Sequence, residues 1–565
     1  MEGCRFHATI AFRPPHDVEY DVLAVDDDGS FQSVPLDVYS PQFDRVFSYS
    51  LSYPTPPPTT TTNDDDDDDD DCVYHDDDDD VVLRLRPRND RHDPNKFVER
   101  SLLLALGYIR RTMGGCAFHS RLKRRRRYAI SDLAPPSSVG SSSMSLALAI
   151  KLRADNDFYS QITNLRERGL DLTPHSLEML EPFLPCPKDE STGDLIVNKT
   201  GMGSSAALVA SLVGALLQFF GVVSLPARVD MEDGGGGDET DGSCVDMVRR
   251  DGLRIAHNLS QICHCYAQGK VGSGFDISSA VYGTHIYTRF SEAFVDEFLE
   301  RVESSSRDGK GDDLQLSGEL SRRLVALVNS DEWDCTVTPF SLPPGLEVLM
   351  ADICGGSESP SMARGILEWK KKKRKVGFMD DYYWKDLKRC NKRIVSLLTD
   401  QFASQSFHDG LRRDGAEIIS IRTAEQWKKP MPSSWHLFEG SSWDVALKLS
   451  DLRMAFLECR QNLKGMGNSA GVPVEPDEQT AVANATMALP GVVAAGVPGA
   501  GGYDALFVIY VKGPATCGGK SDRVRDQIGN LWRDMSDGSN ERVLCPLSVR
   551  AAGSGGGLCA TKLKW

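Results

Sequence analysis

The chain has 565 residues, more than one domain's length, and its 40% apolar and 26% charged residues are ordinary globular composition. Lys and Arg total 64 against 81 Asp and Glu, a net charge of −17 that argues against a general nucleic-acid binder. Thirteen of those acids lie in two runs, Asp64 to Asp71 and Asp76 to Asp80, and without them −17 becomes −4.

The start, Met1 to His7, has no apolar h-region, so no secretory signal is expected. The most apolar stretch, Met487 to Val511, is broken by Pro490, Pro498 and several glycines and carries Asp504, so no membrane span is expected. The 14 cysteines are scattered without a Cys-x-x-Cys pair, and Cys263-His264-Cys265 is too tightly spaced for tetrahedral zinc. They read as reduced thiols of an intracellular protein, cytoplasmic with the peroxisome as second choice.

In chain order, Phe6 to Phe12 reads as a strand. Tyr20 to Val25 and Phe31 to Leu36 read as a hairpin around Asp26-Asp27-Asp28-Gly29. The Pro, Thr and Asp composition from Pro54 to Asp80 predicts a disordered insert, because like charges repel and little can be buried. Lys96 to Arg110 has helical apolar spacing. The basic run Arg121 to Arg127 and the Ser/Pro-rich run Ser131 to Ser145 are expected as exposed loops. Asp230 to Gly242 and Ser304 to Asp313 are further polar interruptions. A new series begins with strand Leu346 to Ile353. It continues with helices at Ala363 to Trp369, Trp384 to Phe402 and Ser442 to Leu463, then strand Ala505 to Val511. A domain boundary is expected between Phe290 and Leu346, in a fold of helices packed on antiparallel sheets.

The most informative string is Lys199-Thr200-Gly201-Met202-Gly203-Ser204-Ser205-Ala206-Ala207, read as coming after a strand at Leu195 to Val197 and opening the apolar helix Ala206 to Phe220. Glycines at a helix entrance let the backbone approach an anion, and serines there either cap the helix or face a ligand. Open N–H groups and the positive end of the helix dipole suit a polyphosphate. A Gly-Ser turn with an N-cap accounts for the serines alone.

This string resembles the ATP-binding motif of the GHMP small-molecule kinases, in the Lys-Thr form of the eukaryotic and fungal-type phosphomevalonate kinases. Ala267 to Gly283, reading AQGKVGSGFDISSAVYG, resembles that family's acidic segment. Gly355-Gly356-Ser357-Glu358-Ser359-Pro360-Ser361-Met362 resembles its acceptor-side loop. Gly471 to Pro476 and Gly496 to Ala505 resemble its C-terminal glycine motif.

The resemblance implies an α+β fold, the GHMP two-domain arrangement. Residues 1–300 would form the ribosomal-S5-like, ATP-binding domain, with disordered inserts at about 54–80, 119–145 and 230–243. Residues 340–565 would form the ferredoxin-like domain. It also implies phosphoryl transfer from ATP to 5-phosphomevalonate, giving 5-diphosphomevalonate on the way to isoprenoids and sterols, with Mg²⁺. Another GHMP kinase such as mevalonate kinase, or a non-catalytic ligand-binding homologue, are the alternatives. Neither nucleic acid nor membrane is an expected partner.

Carried over position by position, Lys199, Thr200, Gly201, Gly203, Ser204, Ser205 and Ala206 would bind the nucleotide. Asp276 and Lys199 would be catalytic, and Ser205 and Asp276 would hold the metal. Lys270, Ser273, Gly274, Ser357, Ser359, Arg364, Gly499, Ala500, Gly501 and Gly502 would meet substrate. Asp276 has its own physical reading: small neighbours let a carboxylate project into a cleft, where it either holds Mg²⁺ or orients the acceptor. The competing reading is a cap on the next helix through Ile277 and Ser278.

The resemblance departs in one place. The family's Pro-Gly-containing first motif has no counterpart before Arg5-Phe6-His7-Ala8, a segment that resembles the family's residues just C-terminal to that motif. The earliest Pro-Gly dipeptide is Pro344-Gly345. By the family's layout the chain starts a few tens of residues late. Two other motifs are rejected. Gly513 to Ser521 imitates a P-loop but has a misplaced proline, and Lys370 to Val376 imitates a nuclear localisation signal but reads as the cationic end of a helix.

Overall fold

A computed structural model describes residues 4–13, 30–55, 83–88, 95–123, 147–227, 242–306, 313–353, 359–375, 382–402, 404–405, 407–411, 441–499, 501–503, 505–512, 523–536, 543–549 and 557–560. The chain forms two compact units, each assembled from separated stretches. One joins Arg5–Ala154, Gly203–Pro339 and Ser554–Trp565; the other joins Met1–Cys4, Asp155–Met202 and Phe340–Gly553. The passage from Pro339 to Phe340 lies in the interval where a boundary is expected, but residues 155–202 and 554–565 group away from their neighbours in sequence.

The first unit is built on β1 (Phe6–Arg13), β2 (Phe31–Ser40), β3 (Arg45–Pro54), β4 (Leu83–Pro87), β5 (Ala147–Ala154) and the short β7 (Leu314–Leu316), in the order β1-β5-β2-β3-β4-β7. A two-stranded ribbon of β6 (His285–Thr288) and β8 (Thr336–Pro339) completes its strands. Of the expected hairpin, Tyr20 to Val25 lies outside the described residues, and the antiparallel partner of β2 is β3, joined through a turn at Pro41–Phe43. The sheet is not purely antiparallel as expected: β2 and β5 run parallel. The chain between them is long enough to cross over, and it includes the helix that comes after β4.

That helix, α1 (Lys96–Met113), starts where the Asn95 side chain accepts from the N–H groups of Phe97 and Val98. Its middle, Leu102 to Ile109, is completely buried. α2 (Ser204–Phe220), almost wholly apolar, packs against α1 and β1 and contributes Leu212, Val213, Leu216, Leu217 and Phe220 to the same core. Each such side chain, fully buried, contributes about 1.5–3 kcal/mol of transfer free energy. α3 (Gly242–Gln268), α4 (Phe275–Tyr282), α5 (Ala293–Ser306) and α6 (Gly318–Asn329) complete the helical layer. Residues 557–560 return to it: Leu558 donates its N–H to the Val281 carbonyl at the end of α4 and packs where Gly214 of α2 has no side chain.

In the second unit, β10 (Val492–Gly496), β11 (Ala505–Val511), β9 (Leu346–Ile353) and β12 (Leu544–Pro546) form an antiparallel sheet in that order. Strand alternation sends its residues to two cores. Leu346, Ile509 and Val511 pack with Phe402, Phe407, Leu449 and Leu452 on one side. Leu349, Ala351, Leu506 and Val508 pack with Met487, Ile528 and Trp532 on the other. Phe402 and Phe407 precede α9 (Ser441–Ala470), which supplies Leu449 and Leu452; the others come from α10 (Asp477–Met487) and α11 (Arg523–Met535). Ile162, Leu165, Leu177 and Leu180 pack on Val543 and Cys545, which explains why residues 155–202 belong here.

Several expectations are revised. Leu195 to Val197 is not a strand: Leu195 makes only an isolated bridge to Lys188 and Lys199 one to Tyr159. The turn between them is held by the Asp189 side chain, which accepts from the N–H groups of Ser191 and Thr192, and no ladder extends it. Residues 115–123 are helical, so the expected loop and insert from 119 begin inside a helix. Residues 124–145, the two acidic inserts apart from Pro54, Thr55 and the Gly242 start of α3, and Gly513 to Ser521 lie outside the described residues.

α7 (Ser359–Lys375) does not end at Trp369 but runs on through the lysines. Lys370 Nζ sits 4.2 Å over the Trp384 ring of α8 (Tyr382–Ser396). Aromatic contacts of this kind let the cationic turn continue the helix. No helix among the described residues is long and apolar enough to cross a membrane.

Candidate active site

In the first unit the site is built where the starts of α2 and α4 meet the end of α3. Gly203 is the N-cap residue of α2, in the left-handed region at φ 72°, and no side chain caps the helix or places an acid in its first turn. The helix therefore offers backbone N–H groups and an uncompensated dipole at Ser204, Ser205 and Ala206. A β-carbon on Gly203 would lie 3.7 Å from that of Asp276, so the Asp276 side chain starts beside this entrance.

Asp276 lies in the first turn of α4, whose N-cap is Gly274. Its Oδ1 accepts from the Ile277 N–H at 2.9 Å, the local bond the capping alternative foresees, but the cap position itself is the glycine's. Gly274 has φ 75°, and a β-carbon there would come within 2.9 Å of the Gln261 amide and the Phe290 ring. Only glycine suits both the backbone and the space. Ser273 is exposed, Gly274 buried and Lys270 half-buried, just past the close of α3, where the Lys270 N–H reaches the Cys265 carbonyl.

The residue that sequence reasoning missed is His264. Its Nε2 lies 3.1 Å from Ser205 Oγ, 3.2 Å from Gln268 Nε2 and 3.9 Å from Asp276 Oδ2. Burial pushes its pKa down, the Asp276 carboxylate works against that, and Lys270 adds to it. A signal existed. His257, Gln261, His264 and Gln268 recur at spacings of four, three and four, one polar stripe on a helix buried in an apolar core. Higher on that stripe, Gln261 Nε2 donates to the Gly274 carbonyl at 2.7 Å and faces His257 Nε2 at 3.1 Å, while Asn258 ties the helix to the Val328 carbonyl. The loop that carries Asp276 is held from behind by this chain. Cys263 and Cys265 are buried, with thiol pKa values raised by burial, Cys265 to about 11.

The remaining candidates belong to the second unit and are described within it. Thr200 is fully buried and its hydroxyl donates to the Asp157 carbonyl at 2.5 Å, so that side chain is occupied in holding its own segment. Asp157 in turn accepts from the Ser548 N–H and hydroxyl. Lys199 and Gly201 are exposed. The two glycine-containing stretches of the C-terminal half meet through main chain, the Gly502 N–H donating to the Val474 carbonyl at 2.9 Å. Next to Val474, Glu475 takes Arg460 in a buried two-point ion pair at 2.6 and 3.2 Å. Gly499 is exposed and Gly501 and Gly502 are buried; Arg364 is exposed on α7. Ser357, Ala500 and Asp504 lie outside the described residues, as does the side chain of Ser359.

No family model matches the chain. Among curated proteins it is 34% identical over 370 residues to the peroxisomal phosphomevalonate kinase of Arabidopsis thaliana, covering 64% of this chain and 66% of that one. It is 29% identical over 436 residues to phosphomevalonate kinase erg8 of Aspergillus fumigatus, covering 76% and 66% respectively. Among solved structures, Streptococcus pneumoniae phosphomevalonate kinase in complex with phosphomevalonate and AMPPNP aligns over 94% of this chain and 96% of that one. Its identity is 10% and its TM-score 0.41, too slight a likeness to carry weight. The two curated relatives are both small-molecule kinases by name. The chain is similar in sequence to phosphomevalonate kinases, and it spans 66% of the length of each of those two relatives.

Proposed function

We propose that this chain transfers the γ-phosphoryl group of ATP to the phosphate of 5-phosphomevalonate, giving 5-diphosphomevalonate and ADP in isoprenoid and sterol biosynthesis. One observation carries the reading: the uncapped entrance of α2, with no acid in its own first turn, lies beside the side chain of Asp276. An anion-attracting helix end next to one acid suits a polyphosphate that arrives with a divalent cation.

The acceptor is itself a phosphate with a second pKa near 6, so it is largely ionised at neutral pH and little general-base work is required. What remains is to bring two polyanions together and stabilise the charge. In this reading Gly203, Ser204, Ser205 and Ala206 hold nucleotide phosphates through backbone N–H groups, with Thr200 and Gly201 shaping the loop before them. Lys199 and Lys270 neutralise phosphate charge. Ser273, Gly274, Ser357, Ser359, Arg364 and the loop Gly499 to Gly502 serve the acceptor.

Among the described residues no three His, Cys, Asp or Glu side chains cluster to hold a metal. Mg²⁺ does not need such a cage, because it keeps waters and substrate oxygens and takes one or two protein carboxylates. Asp276 with the Ser205 hydroxyl fits that donor set, and the ion when bound supplies charge neutralisation at the transferred phosphoryl group. The finer architecture belongs to the same proposal: a ribosomal-S5-like domain within 1–300, a ferredoxin-like domain within 340–565, and a cytoplasmic or peroxisomal enzyme.

The test is acceptor choice. With Mg·ATP, the purified chain should convert 5-phosphomevalonate to the diphosphate and leave mevalonate untouched. Preference for mevalonate would make it another GHMP kinase, and nucleotide binding with no turnover on either would make it a binding protein.

A further inference from the structure

The Ser205 hydroxyl is the only donor oxygen on α2 that the function above asks to serve as a ligand, and its direction is set by a residue that function leaves unused. His264 is 3% exposed, its ring tilted 34° to that of Phe97 at 5.6 Å between centroids, and its Nε2 is approached by both Ser205 Oγ and Gln268 Nε2. An amide nitrogen only donates, so Gln268 requires a lone pair on that ring nitrogen. With the lone pair at Nε2, the ring proton lies on Nδ1. The Ser205 hydroxyl then has to donate as well, and Nε2 accepts from both.

A serine hydroxyl has one proton and two acceptor lone pairs. With its proton committed to α3, both lone pairs of Ser205 remain for a ligand that attracts electrons. We propose that His264 is a positioning residue that accepts the Ser205 proton in a hydrogen bond and so turns the hydroxyl oxygen into a ready cation ligand beside Asp276. Without that acceptor the hydroxyl rotates among its staggered positions and presents its proton part of the time. Asp276 Oδ2, 3.9 Å from the same Nε2, lies beyond hydrogen-bond range of it and stays available to the ion, while Oδ1 holds the Ile277 N–H.

This rests on the reading of Ser205 as a cation ligand, so two readouts are needed, one of them independent of nucleotide. The first is ¹⁵N NMR of the intact chain labelled at histidine. His264 Nε2 should resonate as an unprotonated ring nitrogen and Nδ1 as a protonated one, and Ser205→Ala should move the Nε2 signal to higher frequency. A protonated Nε2, or a signal indifferent to Ser205→Ala, overturns the proposal.

The second readout is the gain in ATP affinity on adding Mg²⁺, measured by calorimetry. His264→Leu should cut that gain about ten-fold, the scale of one lost hydrogen bond, while leaving metal-free ATP binding unchanged. His264→Gln, whose amide oxygen restores an acceptor, should recover most of it, and in a Ser205→Ala background the two His264 variants should behave alike. If His264→Leu fails to fold, the glutamine variant with and without Ser205 makes the same comparison. A full Mg²⁺ gain in His264→Leu reduces His264 to packing. No Mg²⁺ gain in the unsubstituted chain overturns the ligand role of Ser205 and its use by His264, while the NMR result still decides where the proton lies.

Discussion

The carbonyl oxygen of Val474 lies 2.1 Å from where a β-carbon on residue 501 would sit, so the backbone at Gly501 passes against Val474 with no room for a side chain. Gly501 also has φ 83°, a conformation L side chains rarely adopt. Gly501→Ala therefore meets strain and a backbone collision together. It should cost at least about 2 kcal/mol locally, read as lost amide-exchange protection at residues 472–476 and 501–503. Unchanged protection would mean that the loop moves aside at no cost.

The ion pair beside that contact makes a second test. Arg460 and Glu475 have side-chain exposures of 7% and 2%. Breaking a buried pair leaves one charge without compensation, which typically costs about 3–5 kcal/mol, whereas replacing both partners by apolar residues is far milder. Glu475→Gln should thus lower the melting temperature of the second unit more than the double variant Arg460→Met with Glu475→Leu. The reverse order would show that the pair itself, and not its desolvation, dominates.

At the start of α2, Ser205→Ala removes one hydroxyl and leaves the apolar face of the helix intact. The expected result is a loss of kcat/KM for Mg·ATP of about ten- to a hundred-fold, by analogy with a charge-assisted hydrogen bond worth about 1.5–3 kcal/mol, with a melting temperature close to the parent's. A collapse in melting temperature with normal kinetics in the folded fraction would assign Ser205 to stability alone.

Asp276→Asn keeps shape and some local bonding but removes the anion. The rate should fall by about two to four orders of magnitude while ATP still binds, the usual cost of a positioned catalytic group or oriented charge. Equal turnover for Asp and Asn would remove this carboxylate from the mechanism.

Acid should weaken the support behind the Asp276 loop. Burial, outweighing the Asn258 hydrogen bond and reinforced by His285, lowers the His257 pKa from 6.5 to about 4. Between those values the unfolded chain binds a proton that the folded chain refuses. The stabilisation is therefore complete above about pH 6.5 and is lost as pH falls towards 4, a change of about 3 kcal/mol. His257→Gln should be less stable than the parent at pH 7, with the gap closing on acidification. A gap that stays constant from pH 7 to 4 would mean that His257 charges as easily folded as unfolded.

Local pattern determined a good deal of this protein. Strand β11 at Ala505–Val511 and strand β9 at Leu346–Ile353 fall on the residues that apolar runs indicate, because a strand covered on both faces needs little more than continuous apolar character. α1 and α2 are as legible, since the first has helical apolar spacing and the second is a long apolar run that opens at a glycine and closes at Gly221. The Gly-Ser string and the Gly-Phe-Asp turn also marked their places, because glycines at helix entrances are a short-range requirement.

Tertiary structure decided the rest. Nothing near residue 264 in sequence says that its imidazole meets Ser205, 59 residues earlier, because that contact depends on how α2 and α3 pack. The parallel pairing of β2 with β5 depends on a crossover, and the return of residues 557–560 to α4 on glycines whose missing side chains make room. The grouping of residues 155–202 with the later unit depends on Ile162 and Leu165 finding Val543 and Cys545. Short-range signals fix elements and turns. Which polar groups are buried against one another is settled only when distant segments exclude water together.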